Sequence, residues 1–270
     1  MNSPLPGDTI VVWFSNGAAS AVAAWETIRR YSAICDVRIV NNPIIEEDED
    51  NLRFQTDVSR WLGQPIILHG NPEYPSNSAV DIWEKRKAMV FPKGAPCTVH
   101  GKKEARQDYE QNNRVDWHVF GFTADERDRN ERFIMTEREN VLPVLIDANY
   151  TKDDCASLLH FFRIALPRIY SLGFPNANCI GCVKATSPTY WNLVRRVFPE
   201  IFAARAEQSR RLGVRLVRYK GERIFLDELP ADAVGRPLKT MRIECGIVCE
   251  EDPTGEREEY FNLTEWLLAA

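Results

Sequence analysis

Ile10-Val-Val-Trp-Phe14 runs directly into Ser15-Asn-Gly-Ala-Ala-Ser20, and the reading of this junction decides the fold. The first five residues have the composition of a buried strand, and the six small or hydroxyl-bearing residues after them open a helix. The first N–H groups of a helix have no intrahelical partner and carry the positive end of its dipole, so such a turn can hold a phosphate directly. Gly17 permits close backbone approach, Ser15 and Ser20 add hydroxyl donors, and Asn16, Ala18 and Ala19 contribute backbone. A Gly/Ser turn also serves as a plain strand-to-helix connection, and both readings stand on this stretch alone. The pattern Gly-x-x-x-x-Gly-Lys-Ser/Thr is absent, and no lysine occurs before Lys85. A kinase or motor ATPase with a phosphate-gripping lysine in this loop is thereby excluded.

Outward from the junction, apolar runs alternate with helical patterns. Ile10–Phe14, Asp36–Asn41, Pro65–His69, Trp117–Gly121 and Val141–Ile146 read as strands. Ala18–Tyr31, Asn51–Leu62 and Lys152–Arg163 carry apolar residues at helical spacing. The expected fold class is therefore α/β, Rossmann-like, with a mainly parallel five-stranded sheet and helices on both faces. Ligands bind such sheets at the carboxyl ends of the strands, where the strand order reverses. After Cys182 come two helices, Thr189–Val197 and one running from Pro199 to a stop at Gly213. A small hairpin follows, Val214–Tyr219 with Arg223–Leu226, and Leu263–Leu268 reads as a last short helix. This predicts a nucleotide-binding α/β domain over 1–184 and a helical and small-β extension over 185–270.

With 270 residues, 44% of them apolar, the chain can bury a large core. A net charge of −5 argues against a broadly basic nucleic-acid surface, although a local groove stays open to nucleic acid without support from that charge. No apolar run is long enough to cross a bilayer, and Met1–Asp8 lacks the features of a signal peptide, so a cytoplasmic protein with no membrane partner is expected.

Seven cysteines in such a compartment read as metal, catalytic or redox residues more readily than as disulfides. In Cys179-Ile-Gly-Cys182 the glycine allows a tight turn that converges both thiols. Cys97, in a loop after Pro96, and Cys155, in a helix, can complete a four-thiolate set. An iron–sulfur cluster, zinc, a redox dithiol and plain packing all fit the pair. Cys35, beside Ile34 and Val37, reads as core, as do Trp25, Trp61, Trp83 and Trp191. Tyr190 is a candidate for stacking on a base. Lys184 is a candidate cation beside a cluster or phosphate, and Arg129, one turn from Glu126 at a helix start, faces the carboxyl edge of the sheet. Arg53 and Asp57 read as an i,i+4 pair, the run Glu46–Asp50 as a solvated loop before a helix, and His69 and His118 as hydrogen-bonded core residues.

Four stretches together resemble the phosphoadenosine phosphosulfate (PAPS) reductase family of the adenine nucleotide α-hydrolase, or PP-loop, superfamily. They are Ser15–Ser20, Pro96-Cys-Thr-Val-His-Gly-Lys102, Gly121-Phe-Thr-Ala-Asp-Glu-Arg-Asp-Arg129 and Pro167–Cys182. Asn51-Leu-Arg-Phe54, Asn178–Lys184 and Tyr190-Trp-Asn192 resemble more closely a subgroup often encoded by phages and mobile elements.

The resemblance implies an adenine nucleotide, ATP or an adenylyl sulfonucleotide, with its phosphates on Ser15, Gly17, Ala18 and Ser20 and further contacts near Gly121 and Arg129. It implies a 4Fe-4S cluster on Cys97, Cys179 and Cys182, with zinc as the alternative. Thr98 stands where the cluster-bearing relatives have an adjacent second cysteine, so Cys155 is the expected fourth ligand. Glu244-Cys-Gly-Ile resembles the tail whose cysteine attacks sulfur in sulfonucleotide reductases, which makes Cys245 a candidate nucleophile; Val248 replaces the family's histidine, and Cys249 is an extra thiol. The expected function is α-phosphate cleavage in a modification or sulfur-transfer reaction, with charge on phosphorus stabilised by Arg129. The alternatives are thiol-dependent sulfonucleotide reduction and a non-catalytic nucleotide-binding regulator. A thiol or sulfur-donor protein is an expected partner, and a homo-oligomer is compatible with the reading.

Overall fold

The computed structural model describes residues 3–91 and 94–240. Cys245, Cys249 and the expected helix Leu263–Leu268 lie outside the described residues.

The first strand, β1 (Thr9–Phe14), is buried along its whole length, as expected of a parallel strand covered on both faces. Helix α1 (Ala18–Tyr31) follows at once, then β2 (Asp36–Asn41) and α2 (Asp50–Leu62). Next come β3 (Ile66–Leu68) and α3 (Ala79–Arg86). A π-helix, Cys97–Lys103, runs without a break into α4 (Glu104–Asn112). Strand β4 (Trp117–Val119), a short 3-10 turn, α5 (Arg127–Thr136) and β5 (Val141–Leu142) complete the sheet.

All four pairings are parallel, in the order β3-β2-β1-β4-β5, so the expected five-stranded α/β sheet is observed. Thr9 lies opposite Asp36 and Phe14 opposite Asn41, while Ile10 lies opposite Trp117. The chain moves outward from β1 through β2 to β3 and then crosses back to β4 on the other side of β1. The order therefore reverses at the carboxyl ends of β1 and β4, where the turns after these strands leave a crevice.

Strand alternation divides the side chains of β1. Ile10, Val12 and Phe14 enter the core beneath α1, whereas Val11 and Trp13 pack with Val40 and Tyr109 under α4. Val141–Ile146 is not one strand: it stops at Leu142 before Pro143, and Val144–Asp147 forms the short helix α6. Proline has no N–H to continue a ladder, and the apolar run beyond it serves a buried helix equally well. Cys97 sits in the π-helix rather than a loop.

Helices α7 (Lys152–Phe161), α8 (Arg168–Ser171), α9 (Pro188–Val197) and α10 (Pro199–Arg211) follow, with the hairpin β6 (Val217–Tyr219) and β7 (Glu222–Ile224). Helix α7 joins the core beneath the sheet with Cys155 and Leu159, while the rest build a second core in which Trp191, Phe202, Leu216 and Leu226 pack with Ile44, Trp83, Met89 and Ile169. Residues on both sides of position 184 share this core.

Candidate functional site

The turn after β1 is shaped by Asn16, whose φ of +55° lies in the left-handed region, a conformation asparagine tolerates better than most residues. Ser20, on the first turn of α1, holds the loop from inside. Its Oγ accepts from the Ser15 N–H at 3.1 Å and donates to the Gly17 carbonyl at 2.8 Å. The Gly17 N–H reaches the same oxygen only at 3.4 Å, and the Ala18 N–H reaches the Tyr170 hydroxyl at 3.4 Å. Bonds that long are weak, so an anion can displace them. Gly121, just beyond β4, closes the crevice from the other side. A Cβ there would stand 2.8 Å from the Ser20 backbone nitrogen and 3.0 Å from the Ala19 carbonyl carbon, and only glycine allows that approach.

Below the turn lies a network that the sequence does not announce. Glu47 Oε2 accepts from Asn16 Nδ2 and from Asn51 Nδ2, both at 3.1 Å, and Glu47 Oε1 accepts from Lys102 Nζ at 3.1 Å. The Glu47 side chain is only 7% exposed. Glu46 bonds the Ser78 hydroxyl and the Ala79 N–H at the start of α3, and Asp48 receives Arg168. The acidic run is therefore built into the protein and is not a solvated loop.

Lys102 also carries its charge to the thiols, since the field of this ammonium opposes the rise that burial imposes on Cys179. Cys97, Cys179 and Cys182 pack together in the second core and act electrostatically on one another. Burial pushes the Cys97 thiol up, and the Trp83 indole beside it pulls the other way. The buried Trp83 Nε1 has no conventional hydrogen-bond partner. Arg205 stacks on Trp83, with its guanidinium carbon 4.4 Å from the ring, its Nε unpartnered and its charge felt by Cys97 and Cys179. Gly181 turns the Cys179–Cys182 segment with a φ of +69°, and a Cβ there would lie 3.6 Å from Arg205 Nε.

The structure does not bring Cys155 to these three. It is fully buried beneath the sheet, in the core of α1 and α7, and burial pushes its thiol up to about 12. Its place in the expected ligand set therefore has no support from the geometry, because it is anchored in the other core. Among the described residues, no group of three or more histidine, cysteine or acidic side chains converges closely enough to hold a metal ion.

The turn and residues on either side of Cys179 and Cys182 line one cavity of about 320 Å³, whose wall includes none of the three thiols. Ser15, Gly17, Ala19, Ser20 and Gly121 line it on one side, and Tyr170, Ala177, Asn178 and Lys184 on another. Lys102, Arg106, Arg129, Lys152 and Lys184 bring five cations to its wall against the single carboxylate of Glu126. This strongly cationic pocket in an acidic protein suits an anionic ligand. Arg129 lines it while donating to Glu126 at 2.5 Å.

Several other residues have structural explanations. Tyr190 is buried with its hydroxyl accepting from the Cys182 N–H at 2.8 Å, so it supports the thiol turn and is not free to stack on a base. Arg53 pairs with Asp57 as expected and also with Asp50. His118 accepts from Trp13 Nε1 at 3.1 Å, and His69 pairs with Asp108. The tryptophans at 25, 61, 83 and 191 and Cys35 are core. Glu47, Lys102, Arg106 and Tyr170 enter the site unforeseen. Of these, Lys102 and Tyr170 stood within stretches singled out by their motifs.

No family model and no curated protein matches the chain. Among solved structures it is similar to the crystal structure of a phosphoadenylyl-sulfate (PAPS) reductase from Candida auris in a phosphate complex. The identity is 9% over 66% of this chain and 82% of that one, with a TM-score of 0.45. No described helix is long and apolar enough to cross a membrane.

Proposed function

We propose that the chain is a PP-loop enzyme of the PAPS reductase type, of the subgroup marked by Asn178–Lys184, that binds an adenine nucleotide beside a thiolate site. The observation that carries this reading is the single cationic cavity shared by the Ser15–Ser20 turn and the segment leading into Cys179 and Cys182.

In the favoured reaction, the nucleotide's α-phosphate rests on the backbone N–H groups of Gly17 and Ala18. An acceptor oxygen attacks phosphorus as the bond to pyrophosphate breaks, and Arg129 and Lys184 offset the charge that develops. Asn16, held by Glu47, keeps the turn in its left-handed shape, so the donors are aimed before the ligand arrives.

Cys97, Cys179 and Cys182 do not converge into a metal-holding group among the described residues, and they are the thiols that would have to be drawn together to hold a 4Fe-4S cluster or zinc. Such a group, when bound, supplies electron transfer or a structural clamp. Soft thiolates with an indole N–H, the buried Arg205 and the half-buried Lys102 around them suit an anionic metal–thiolate unit. Burial pushes the Cys97 and Cys179 thiols up, which disfavours the redox-dithiol alternative.

Pyrophosphate release with ATP, measured beside sulfite release with the two adenylyl sulfonucleotides and direct nucleotide binding, tests the reading. Pyrophosphate release supports adenylation. Sulfite release supports the reductase alternative with Cys245 as nucleophile, and tight binding without turnover supports a regulator. Absence of any nucleotide binding overturns all three. Iron, sulfide and zinc analysis of anaerobically purified protein tests the thiolate site: metal in wild type that is lost in Cys179→Ala is expected, and metal-free wild type refutes it.

A further inference from the structure

The net charge of −5 conceals a segregation. Across 1–184 the 25 carboxylates outnumber 21 lysines and arginines, whereas across 185–240 eleven lysines and arginines face only six carboxylates. Among the described residues, only Arg210 and Arg211 of those eleven form ion pairs. Most of the others are exposed.

Three of them occupy positions on the β6–β7 hairpin that cost stability. Arg218 stands directly opposite Arg223, both exposed, and like charges facing each other across an antiparallel pair repel. Arg223 places one N–H on the Leu216 carbonyl at 2.7 Å, and the Arg218 side chain has no hydrogen-bond or ion-pair partner among the described residues. Lys220 holds the tip with a φ of +48°, where glycine or asparagine is favoured.

The hairpin is joined to the cavity. The Thr186 carbonyl accepts from the Arg218 N–H at 2.9 Å, and the Ser187 hydroxyl donates to the Arg236 carbonyl at 3.0 Å. Lys184, exposed and two residues before Thr186, lines the cavity wall. Arg218, Arg223 and Arg236 therefore flank the segment that carries Lys184 to the cavity. Several exposed cations in succession match a ligand whose anionic charges repeat, since a lone phosphate would satisfy only one of them.

We propose that this face docks a single-stranded nucleic acid, with phosphodiesters on Arg218, Arg223 and Arg236 and an end of the strand directed past Lys184. The proposal rests on the nucleotide reading above for the role of the cavity, and it gives the acceptor of that reaction a chemical class. A cavity of about 320 Å³ admits a strand end and not a duplex.

Fluorescence anisotropy of the full chain with labelled single strands of RNA and of DNA, about 20 nucleotides long, tests this, and their relative affinity identifies the sugar. Log affinity should fall linearly with log salt between about 50 and 200 mM. Arg218→Gln with Arg236→Gln should weaken binding by about 10- to 100-fold at the low-salt end and flatten the slope by about 1.4, the share of two phosphate contacts. Neither side chain has a partner among the described residues, so thermal unfolding of this variant should match wild type. Arg60→Gln with Arg163→Gln, the same charge change away from this face, should leave the affinity within about 2-fold.

Equal loss in the two double variants overturns the assignment, and so does equal affinity for polyglutamate, which would mark a surface for any polyanion. Adenine nucleotide binding, measured alongside, separates the failures. No strand bound while the nucleotide binds, as when the acidic residues of 250–259 neutralise the face instead, overturns this inference alone. Neither bound overturns it together with the reading beneath it.

Discussion

Lys102 Nζ lies 3.1 Å from Glu47 Oε1, and this pair ties the Ser15–Ser20 turn to the thiols. One end of Glu47 holds Asn16 of the turn, and Lys102 acts on Cys179 from the other side. The two partners differ in exposure, 7% for the Glu47 side chain and 30% for Lys102, so their loss should have unequal effects. Lys102→Met strands a carboxylate with only amide donors and should destabilise the protein by about 1–3 kcal/mol. Glu47→Gln leaves an ammonium that can rehydrate and should cost less. Urea denaturation of both variants checks the order, and a larger loss in Glu47→Gln would contradict it.

Gly121→Ala drives a methyl group into the backbone of Ala19 and Ser20. Neither neighbour is a flexible side-chain end, so the first turn of α1 must shift. The expected loss is about 1–3 kcal/mol of stability, with nucleotide affinity falling about 10-fold or more as the turn opens. Calorimetry showing wild-type affinity in a stable variant would refute the close-approach argument.

His118 is buried and accepts from Trp13, and burial with the charges of Arg138 and Arg106 holds its pKa down to about 4. In the unfolded chain the imidazole titrates at about 6.5. Between these values the unfolded state binds the extra proton, so the stability this residue contributes is complete above about pH 6.5 and is lost as the pH falls toward 4. The loss amounts to about 3 kcal/mol. In His118→Gln that share of the acid sensitivity should vanish. Equal slopes of stability against pH for wild type and variant, from denaturant titrations between pH 7 and 4.5, would exclude it.

Tyr170 covers the turn with its hydroxyl, which accepts from the Ala18 N–H at 3.4 Å, and a Cβ on Gly17 would stand 3.2 Å from that oxygen. An arriving phosphate takes over the N–H and accepts a hydrogen bond from the phenol in turn. Tyr170→Phe should therefore weaken adenosine monophosphate binding by about 10- to 100-fold, the value of one hydrogen bond to a charged group. An unchanged Kd would show that the phenol does not reach the bound anion.

Strand β1 was legible because a parallel strand buried on both faces is nearly apolar throughout, and it differs from its expected span only by the added Thr9; β2 matches its expected span through Val37, Ile39 and Val40 between polar ends. Helix α4 was not legible. Its sequence, Glu104 to Asn112, buries only Ala105 and Tyr109 and so shows no stripe. The Cys97–Lys103 π-helix follows no 3.6-residue period, which is why Cys97 reads as a loop residue from sequence. Ser15, Gly17 and Ser20 were recognisable because their chemistry is local. Glu47 and Arg106 acquire their roles only when three distant segments meet, and nothing in their immediate sequence distinguishes them from solvated charges. Cys155 looked like a ligand by its place ahead of the Pro167–Cys182 segment, yet a cysteine is also a small apolar residue, and its helix face serves the core beneath the sheet.

The stacking of Arg205 on Trp83, with Cys97 against the same indole, gives this protein a fluorophore at its thiols. An absorbing or paramagnetic centre that settles on those sulfurs would shorten the excited-state lifetime of Trp83, so occupancy can be followed by time-resolved emission in the unlabelled protein, with Trp83→Phe as the blank.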